Sequence, residues 1–209
     1  MIKQYTSVIQ SDLNEIIYES LLRHSGWNLI VDSKFSKFNP GTDSGMILAS
    51  MSDGKSNGDK YNYLNFYADL ILKLVTSKTK VTLEHTEVNF FSHIEMTRCY
   101  WNYYHSNSIG IDHPDTMQDD HWSLIYYLND VEYAGTKIID ENNNIIIVPS
   151  IATNAVLFPS SYIHCGLPPK DHDHRCCLNI VFKARIFHPN PGKDFIQDKN
   201  YVIFKKEDV

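Results

Sequence analysis

The stretch GIDHPDTMQDDHWSLIYYLND, residues 110–130, decides how this chain is read. Its second half alternates: Ser123, Ile125, Tyr127 and Asn129 fall on one face of a strand, and Leu124, Tyr126 and Leu128 fall on the other. Its first half sets His113 and His121 among Asp112, Asp115, Asp119 and Asp120, at the mouth of that strand. Downstream, HRCCLNIVF repeats the mixed pattern, with Arg175, Cys177, Asn179 and Val181 opposite Cys176, Leu178, Ile180 and Phe182. Polar groups turned into an interior are costly unless they are hydrogen-bonded or bind something. Two strands with a mixed inner face therefore predict a polar lumen that takes a ligand.

The imidazoles and carboxylates suggest which ligand. His113 and Asp115 are spaced i, i+2, so on an extended segment they project the same way. A second imidazole comes from FPSSYIH, where His164 follows an apolar strand end and a turn. Two neutral imidazoles and one carboxylate cover one face of an octahedral Fe(II) and leave the remaining positions open to substrates. His121 is the weaker candidate, because no carboxylate follows it at i+2. In KDHDHR, His172 and His174 read as solvated loop residues, and Asp119 and Asp120 read as a charged loop over the pocket entrance. Cys165 reads as packing.

Working outward, SDLNEIIYESLLRH gathers Leu13, Ile16, Ile17, Leu21 and Tyr18 near one face of a helix, capped by Ser11 or Asp12 and stopped by Gly26. Residues 32–60 read as a long loop carrying one short strand, GMILASM. A second helix, YNYLNFYADLILKLVTS, is apolar around most of its circumference and is expected to be buried. From Lys80 onward the chain turns to short β-branched and aromatic runs, with DENNN as the hairpin turn between TKIID and IIIVP. Many short strands after leading helices predict a mainly β sandwich or barrel with flanking helices.

With 209 residues and 43% hydrophobic content the chain can bury one core. A single domain is expected, with 1–79 as helical cover and loop, 80–187 as the strand core and 188–209 as a C-terminal extension. A net charge of −6 without a basic stripe argues against nucleic acid as a partner. No run approaches the ~20 apolar residues of a membrane span, and MIKQYTSVIQSDLNE lacks an apolar leader, so a soluble cytoplasmic protein is expected. The four cysteines form no C-x-x-C and are expected to be reduced. Abundant Asn, Ile, Lys and Tyr suggest an AT-rich genome such as that of a virus or phage.

The motifs HPD, SLIYYLN eight residues after its Asp, AGTKI, FPSSYIH and an Arg eleven residues after that His occur in order. In this, residues 98–183 resemble the iron(II)- and 2-oxoglutarate-dependent oxygenases, most closely the prolyl 4-hydroxylase-like branch. The resemblance implies a double-stranded β-helix, the cupin-like jelly roll, with metal held by His113, Asp115 and His164. It implies that Arg175 binds the distal carboxylate of 2-oxoglutarate, with Tyr127 and Tyr103 as hydroxyl donors. Arg175 and Tyr127 also lie on the polar register derived above, and a guanidinium fork matches a carboxylate as a lysine does not. The implied cofactor and cosubstrates are Fe(II), 2-oxoglutarate and O2, with ascorbate as an optional reductant. The substrate is a C–H bond of a polypeptide, prolyl residues included, or of a small molecule.

The pattern departs from the family at two points. Pro114 removes a backbone donor inside HPD, which predicts an edge or a distortion, and AGTKI lacks a double glycine. Two other functions compete: a cupin-type metalloenzyme without 2-oxoglutarate, which would use more histidines and have no need of Arg175, and a non-catalytic jelly-roll binding protein.

Overall fold

The computed structural model describes residues 1–30, 45–83, 85–170 and 174–186. The expected C-terminal extension, His172 and much of the expected long loop lie outside these residues. Two helices, α1 (Ser11–Leu22) and α2 (Asn62–Lys78), accompany thirteen strands. These are β1 (Lys3–Tyr5), β2 (Asn28–Ile30), β3 (Gly45–Ser52), β4 (Lys55–Ser56), β5 (Lys80–Leu83), β6 (Thr86–Asn89) and β7 (Phe91–His105), followed by β8 (His121–Tyr127), β9 (Val131–Ile139), β10 (Ile145–Ser150), β11 (Ala155–Pro159), β12 (Ile163–Leu167) and β13 (His174–Ile186).

The large sheet runs β1-β11-β8-β13-β7-β3-β2, with β4 added to β3, and the small sheet runs β10-β9-β12. The fold is the expected jelly roll, mainly antiparallel β with helices on one side. Residues that pair across the large sheet share a face, so the registers sort every side chain. Leu157, Leu124, Ile180 and Cys99 form one row, while Val156, Ile125, Asn179 and Tyr100 form the next, on the opposite face. The first kind of row packs against Ile17, Leu21, Leu64, Ile71 and Val75 of the two helices in the main core. The second kind faces the small sheet, where Ile125, Tyr127, Val156, Phe158 and Cys177 meet Ile138 and Val148. This second, smaller core is the lumen.

Several expectations shift. The segment 1–79 is more than cover, because β1, β2, β3 and β4 extend the large sheet; β1 and β2 are only three residues each, too short to show a period. In α1 the N-cap is Gln10, and the buried stripe is Asn14, Ile17 and Leu21, with Ile16 exposed. Asn14 is buried because both ends of its amide are used: it donates to the Leu128 carbonyl at 2.9 Å and accepts from the Tyr126 hydroxyl at 2.7 Å. Helix α2 is buried on one side only, through Leu64, Ala68, Ile71, Leu72 and Val75, while Phe66 stands in solvent. AGTKI lies within β9, and a Cβ on Gly135 would come within 2.0 Å of the Val148 carbonyl oxygen, so only glycine lets β10 approach there. The DENNN hairpin turn lies where expected, with Ile145 opposite Ile139.

Leu178 is fully buried between Tyr126 and Trp101 on the helix-facing side of β13. Leu178→Ala should lower unfolding free energy by about 2–5 kcal/mol. Ile16→Ala, at an exposed position of α1, should stay within about 0.5 kcal/mol. Urea denaturation followed by circular dichroism separates the two.

Candidate metal centre

The backbone of HPD is held by two crossings. His113 N–H donates to the His164 carbonyl and His164 N–H to the His113 carbonyl, both at 3.0 Å, as an isolated bridge at the edge of β12. The next residue is Pro114, which has no N–H, so pairing stops there and the expected distortion is present. Asp115 N–H then turns to the Ser160 carbonyl at 2.9 Å. The result brings one nitrogen of each imidazole and a carboxylate oxygen of Asp115 within 4.8 Å of one another.

Hydrogen bonds at the far nitrogens fix what the near ones offer. His113 Nδ1 lies 2.7 Å from the Ile111 carbonyl and His164 Nδ1 lies 3.0 Å from the Tyr162 carbonyl. A carbonyl only accepts, so both Nδ1 atoms carry a proton and donate it, which leaves Nε2 as the nitrogen that each ring turns to the cluster. His164 Nε2 is buried with no hydrogen-bond partner among the described residues, 3.5 Å from Asp115 Oδ2. Burial lowers the His164 pKa to about 4, outweighing the attraction of Asp115, so the ring is neutral at pH 7. Burial alone would raise the Asp115 carboxyl, but Arg98, His164 and the Ser123 hydroxyl outweigh it and hold it well below the usual carboxylate range. Two neutral imidazoles and one carboxylate are the protonation states that a divalent cation requires.

Asp115 is further oriented by Ser123, whose hydroxyl donates to Oδ2 at 2.5 Å and lies 2.8 Å from the Ser160 hydroxyl. Arg98 on β7 forms an ion pair with Oδ1. His113 remains 40% exposed, so the cluster opens on that side, whereas Phe158 closes the other by packing 4.9 Å from the His164 ring.

Deeper in the lumen stands Arg175, 1% exposed. One guanidinium nitrogen donates to Thr136 Oγ1 at 3.2 Å, while Nε and Nη1 have no partner among the described residues. The rings of Tyr104 and Tyr127 flank it at 5.2 and 5.5 Å. The Tyr127 hydroxyl donates to Thr136 Oγ1 at 2.8 Å, and burial pushes its pKa up to about 12, so it stays protonated. Gly166 leaves space here: a Cβ on it would meet Arg175 Nη1 at 3.0 Å and the Tyr104 hydroxyl at 3.1 Å.

Tyr103 does not join this group. It pairs with Cys176 in the β7–β13 register, on the helix-facing side, and stacks on His174 at 4.9 Å. Tyr104, paired with Arg175, is the lumen residue. Counting back from His113 could not separate the two, but the alternation of β7 does. The same alternation puts Arg98, Tyr100, Asn102 and Tyr104 on one face, a signal in the sequence that would have found Arg98. Thr136 carried no comparable signal.

The remaining candidates resolve simply. His121 pairs with Asp120 at 2.7 Å, and Asp120 also binds Lys183, so this part of the charged loop is tied down instead of forming a free lid. His174 is not a solvated loop residue; it begins β13 between Tyr103 and Tyr18, in hydrogen bond to the Tyr18 hydroxyl. All four cysteines are free and buried. A groove lined by Val8, Ile9, Leu13, Leu70 and Leu74 lies on the helix side and contains none of these residues.

No family model and no curated protein matches the chain. Its fold is similar to several solved structures. A prolyl-4-hydroxylase of Pseudomonas putida aligns at 15% identity with a TM-score of 0.58, covering 88% of this chain and 92% of that one. A 2OG-Fe(II) oxygenase family oxidoreductase of Burkholderia pseudomallei aligns at 10% identity with a TM-score of 0.64, covering 88% and 86%. A prolyl hydroxylase of Trichoplax adhaerens, in complex with a hypoxia-inducible factor peptide fragment, aligns at 14% with a TM-score of 0.59, covering 87% and 83%. The chain therefore has the fold of the 2OG-Fe(II) oxygenases.

If the cluster is a metal site, Ser123→Ala should weaken Mn(II) binding by about 10–100-fold, the usual effect of removing a group that orients a ligand. His164→Ala should weaken it further still. Mn(II) titration followed by electron paramagnetic resonance measures both, and unchanged affinity in His164→Ala would remove His164 from the site.

Proposed function

We propose that the chain is an iron(II)- and 2-oxoglutarate-dependent oxygenase that hydroxylates a C–H bond of a polypeptide or small-molecule substrate. The observation that carries this reading is the pair of unsatisfied groups in one lumen. His164 Nε2 stands beside His113 and Asp115, and Arg175 holds two guanidinium nitrogens deeper inside that have no partner among the described residues. Burying a guanidinium without a counter-charge is costly, and a dicarboxylate anchored there would supply one. A cupin-type enzyme without 2-oxoglutarate has no use for Arg175, and a merely structural jelly roll has no use for either group.

The residues fit the implied ion and cosubstrate. His113, Asp115 and His164 would hold Fe(II), keeping its other positions free. Arg175 would receive the distal carboxylate as a fork, with the Tyr127 and Tyr104 hydroxyls beside it. Bound together, Fe(II) and 2-oxoglutarate activate O2, so that a substrate C–H becomes C–OH while 2-oxoglutarate becomes succinate and CO2. Thr136 orients both Arg175 and Tyr127 through one hydroxyl oxygen. Ile125, Val156, Phe158, Ile138 and Val148 line the same lumen and exclude water from it. Asp115 remains ionised because Arg98 and Ser123 hold it so, burial keeps the His164 ring neutral, and both imidazoles are oriented by Nδ1–H bonds to carbonyls.

The polypeptide version gains support from the fold shared with a prolyl hydroxylase seen with a peptide. Anaerobic titration of the Fe(II) protein with 2-oxoglutarate tests the class: a charge-transfer absorption should appear and saturate, and slow 2-oxoglutarate consumption should follow on admitting O2. Arg175→Ala should weaken 2-oxoglutarate binding by about 10–100-fold, matching one lost charge-assisted contact. Arg175→Lys should recover part of that loss, and Mn(II) affinity should change little. Equal 2-oxoglutarate affinity in wild type and Arg175→Ala would overturn the anchor.

A further inference from the structure

We infer that Arg98 is the cation of the substrate subsite and that the substrate carries a carboxylate near the carbon that is oxidised. The inference rests on the oxygenase reading above. Arg98 lies in the lumen row Phe158, Ser123, Val181, Arg98, at the end of the cluster that is open to solvent. Its side chain is 24% exposed beside the half-open His113. Arg175 pairs with Tyr104, six residues further along β7, so the two arginine backbones are separated by roughly 20 Å of strand at 3.3 Å per residue. The two arginines therefore stand at different levels of the lumen, Arg98 beside Asp115 and Arg175 beside Thr136.

Charge argues for an anion. Arg98 pairs with Asp115. A divalent cation held by the cluster would take Asp115 as its only anionic protein ligand and leave a guanidinium beside a dication. Together with Arg175, these groups exceed the charge of a dicarboxylate cosubstrate, and one positive charge remains uncompensated at the open side. The geometry can receive a planar anion. Arg98 Nη2 is engaged by Asp115, whereas Nε is buried without a partner among the described residues, and a guanidinium presents further N–H groups in the same plane.

The adjoining wall specifies a second feature. Tyr100, Asn102 and Asn179 follow Arg98 on the lumen face, and Asn179 Oδ1 is buried with no partner among the described residues. An acceptor in that state is satisfied by an N–H. A carboxylate together with an N–H is the chemistry of an amino acid or of an acidic residue in a peptide.

The test uses the Mn(II)-loaded protein with 2-oxoglutarate under argon, reading binding from the paramagnetic relaxation of probe protons. The probes are free L-glutamate with L-glutamine, and an acetylated, amidated Ala-Glu-Ala peptide with its Ala-Gln-Ala counterpart. At least one acidic probe should bind roughly ten-fold or more tightly than its amide partner, and the pair that discriminates identifies the source. Arg98→Gln should erase that difference and Arg98→Lys should restore part of it; 2-oxoglutarate affinity should stay within about three-fold, and Mn(II) affinity, which loses the Arg98–Asp115 ion pair, should fall by much less than acidic-probe binding. Absence of acid preference in both pairs, with 2-oxoglutarate binding intact, overturns the inference alone. So does a loss of Mn(II) or 2-oxoglutarate affinity in Arg98→Gln as large as the loss of probe binding, which would make Arg98 a counter-ion of the cluster only. Failure of the wild type to bind 2-oxoglutarate overturns the oxygenase reading and this inference with it.

Discussion

The register of β13 governs the rest of the molecule. This strand is hydrogen-bonded along its length to β7 on one side and to β8 on the other. Cys176, Leu178, Ile180 and Phe182 close the core against the helices, and Arg175, Cys177, Asn179 and Val181 face the lumen. Because the side-chain period is two, a slip by one residue would drive Arg175 into the helix-packed core and turn Leu178 into the polar lumen. Both outcomes carry a cost of several kcal/mol, so hydrophobic burial on one face fixes the position of the guanidinium on the other. The chemistry of the site is therefore positioned by packing that never touches it.

The lumen carries more buried unpaired polar atoms than the other face, where the indole nitrogens of Trp101 and Trp122 are buried without partners among the described residues. The main core buries apolar side chains against α1 and α2, and its polar member Asn14 uses both ends of its amide. The lumen buries His164 Nε2, Arg98 Nε, two nitrogens of Arg175 and Asn179 Oδ1 without partners among the described residues. Native folds leave few buried polar atoms unpaired, and five along one lumen form a set that folding alone does not explain. Their arrangement is selective: a ring nitrogen beside a carboxylate at one level and guanidinium donors at another, the latter beside the Tyr127 and Thr136 hydroxyls.

Much of this was legible in the sequence because it depends on local period. The alternation in SLIYYLN and RCCLNIVF assigned both faces correctly, and H-x-D with a later His gathered the three cluster residues. What was not legible depends on pairing. Tyr103 and Tyr104 are adjacent in sequence, and it is their partners in β13, Cys176 and Arg175, that show which of their two faces is the lumen. The alternation of β7 places Arg98 on that face, but its contact with Asp115, 17 residues away on the loop before β8, is tertiary. The burial of Asn14 depends on Tyr126 and Leu128, more than 110 positions away. The three-residue strands β1 and β2 are too short for any periodic signal and form because partner edges are available to them.

The division of labour between strands follows from the same registers. The cluster is built from the HPD bridge, β8 and β12, whose positions are fixed by both cores. The wall opposite is β7, and its other neighbour is β3, with Ile47 beside Asn102 and Ala49 beside Tyr100. The segment that sequence reading treated as cover thus supplies one border of the lumen. Changes along β3 or at Tyr100 and Asn102 can alter what enters without moving His113, Asp115 or His164, because those residues are held by hydrogen bonds to β12 and to Ser160 that do not pass through β3. A fold arranged in this way can vary one wall of the lumen while the cluster stays in place, and chains at 10–15% identity share the architecture.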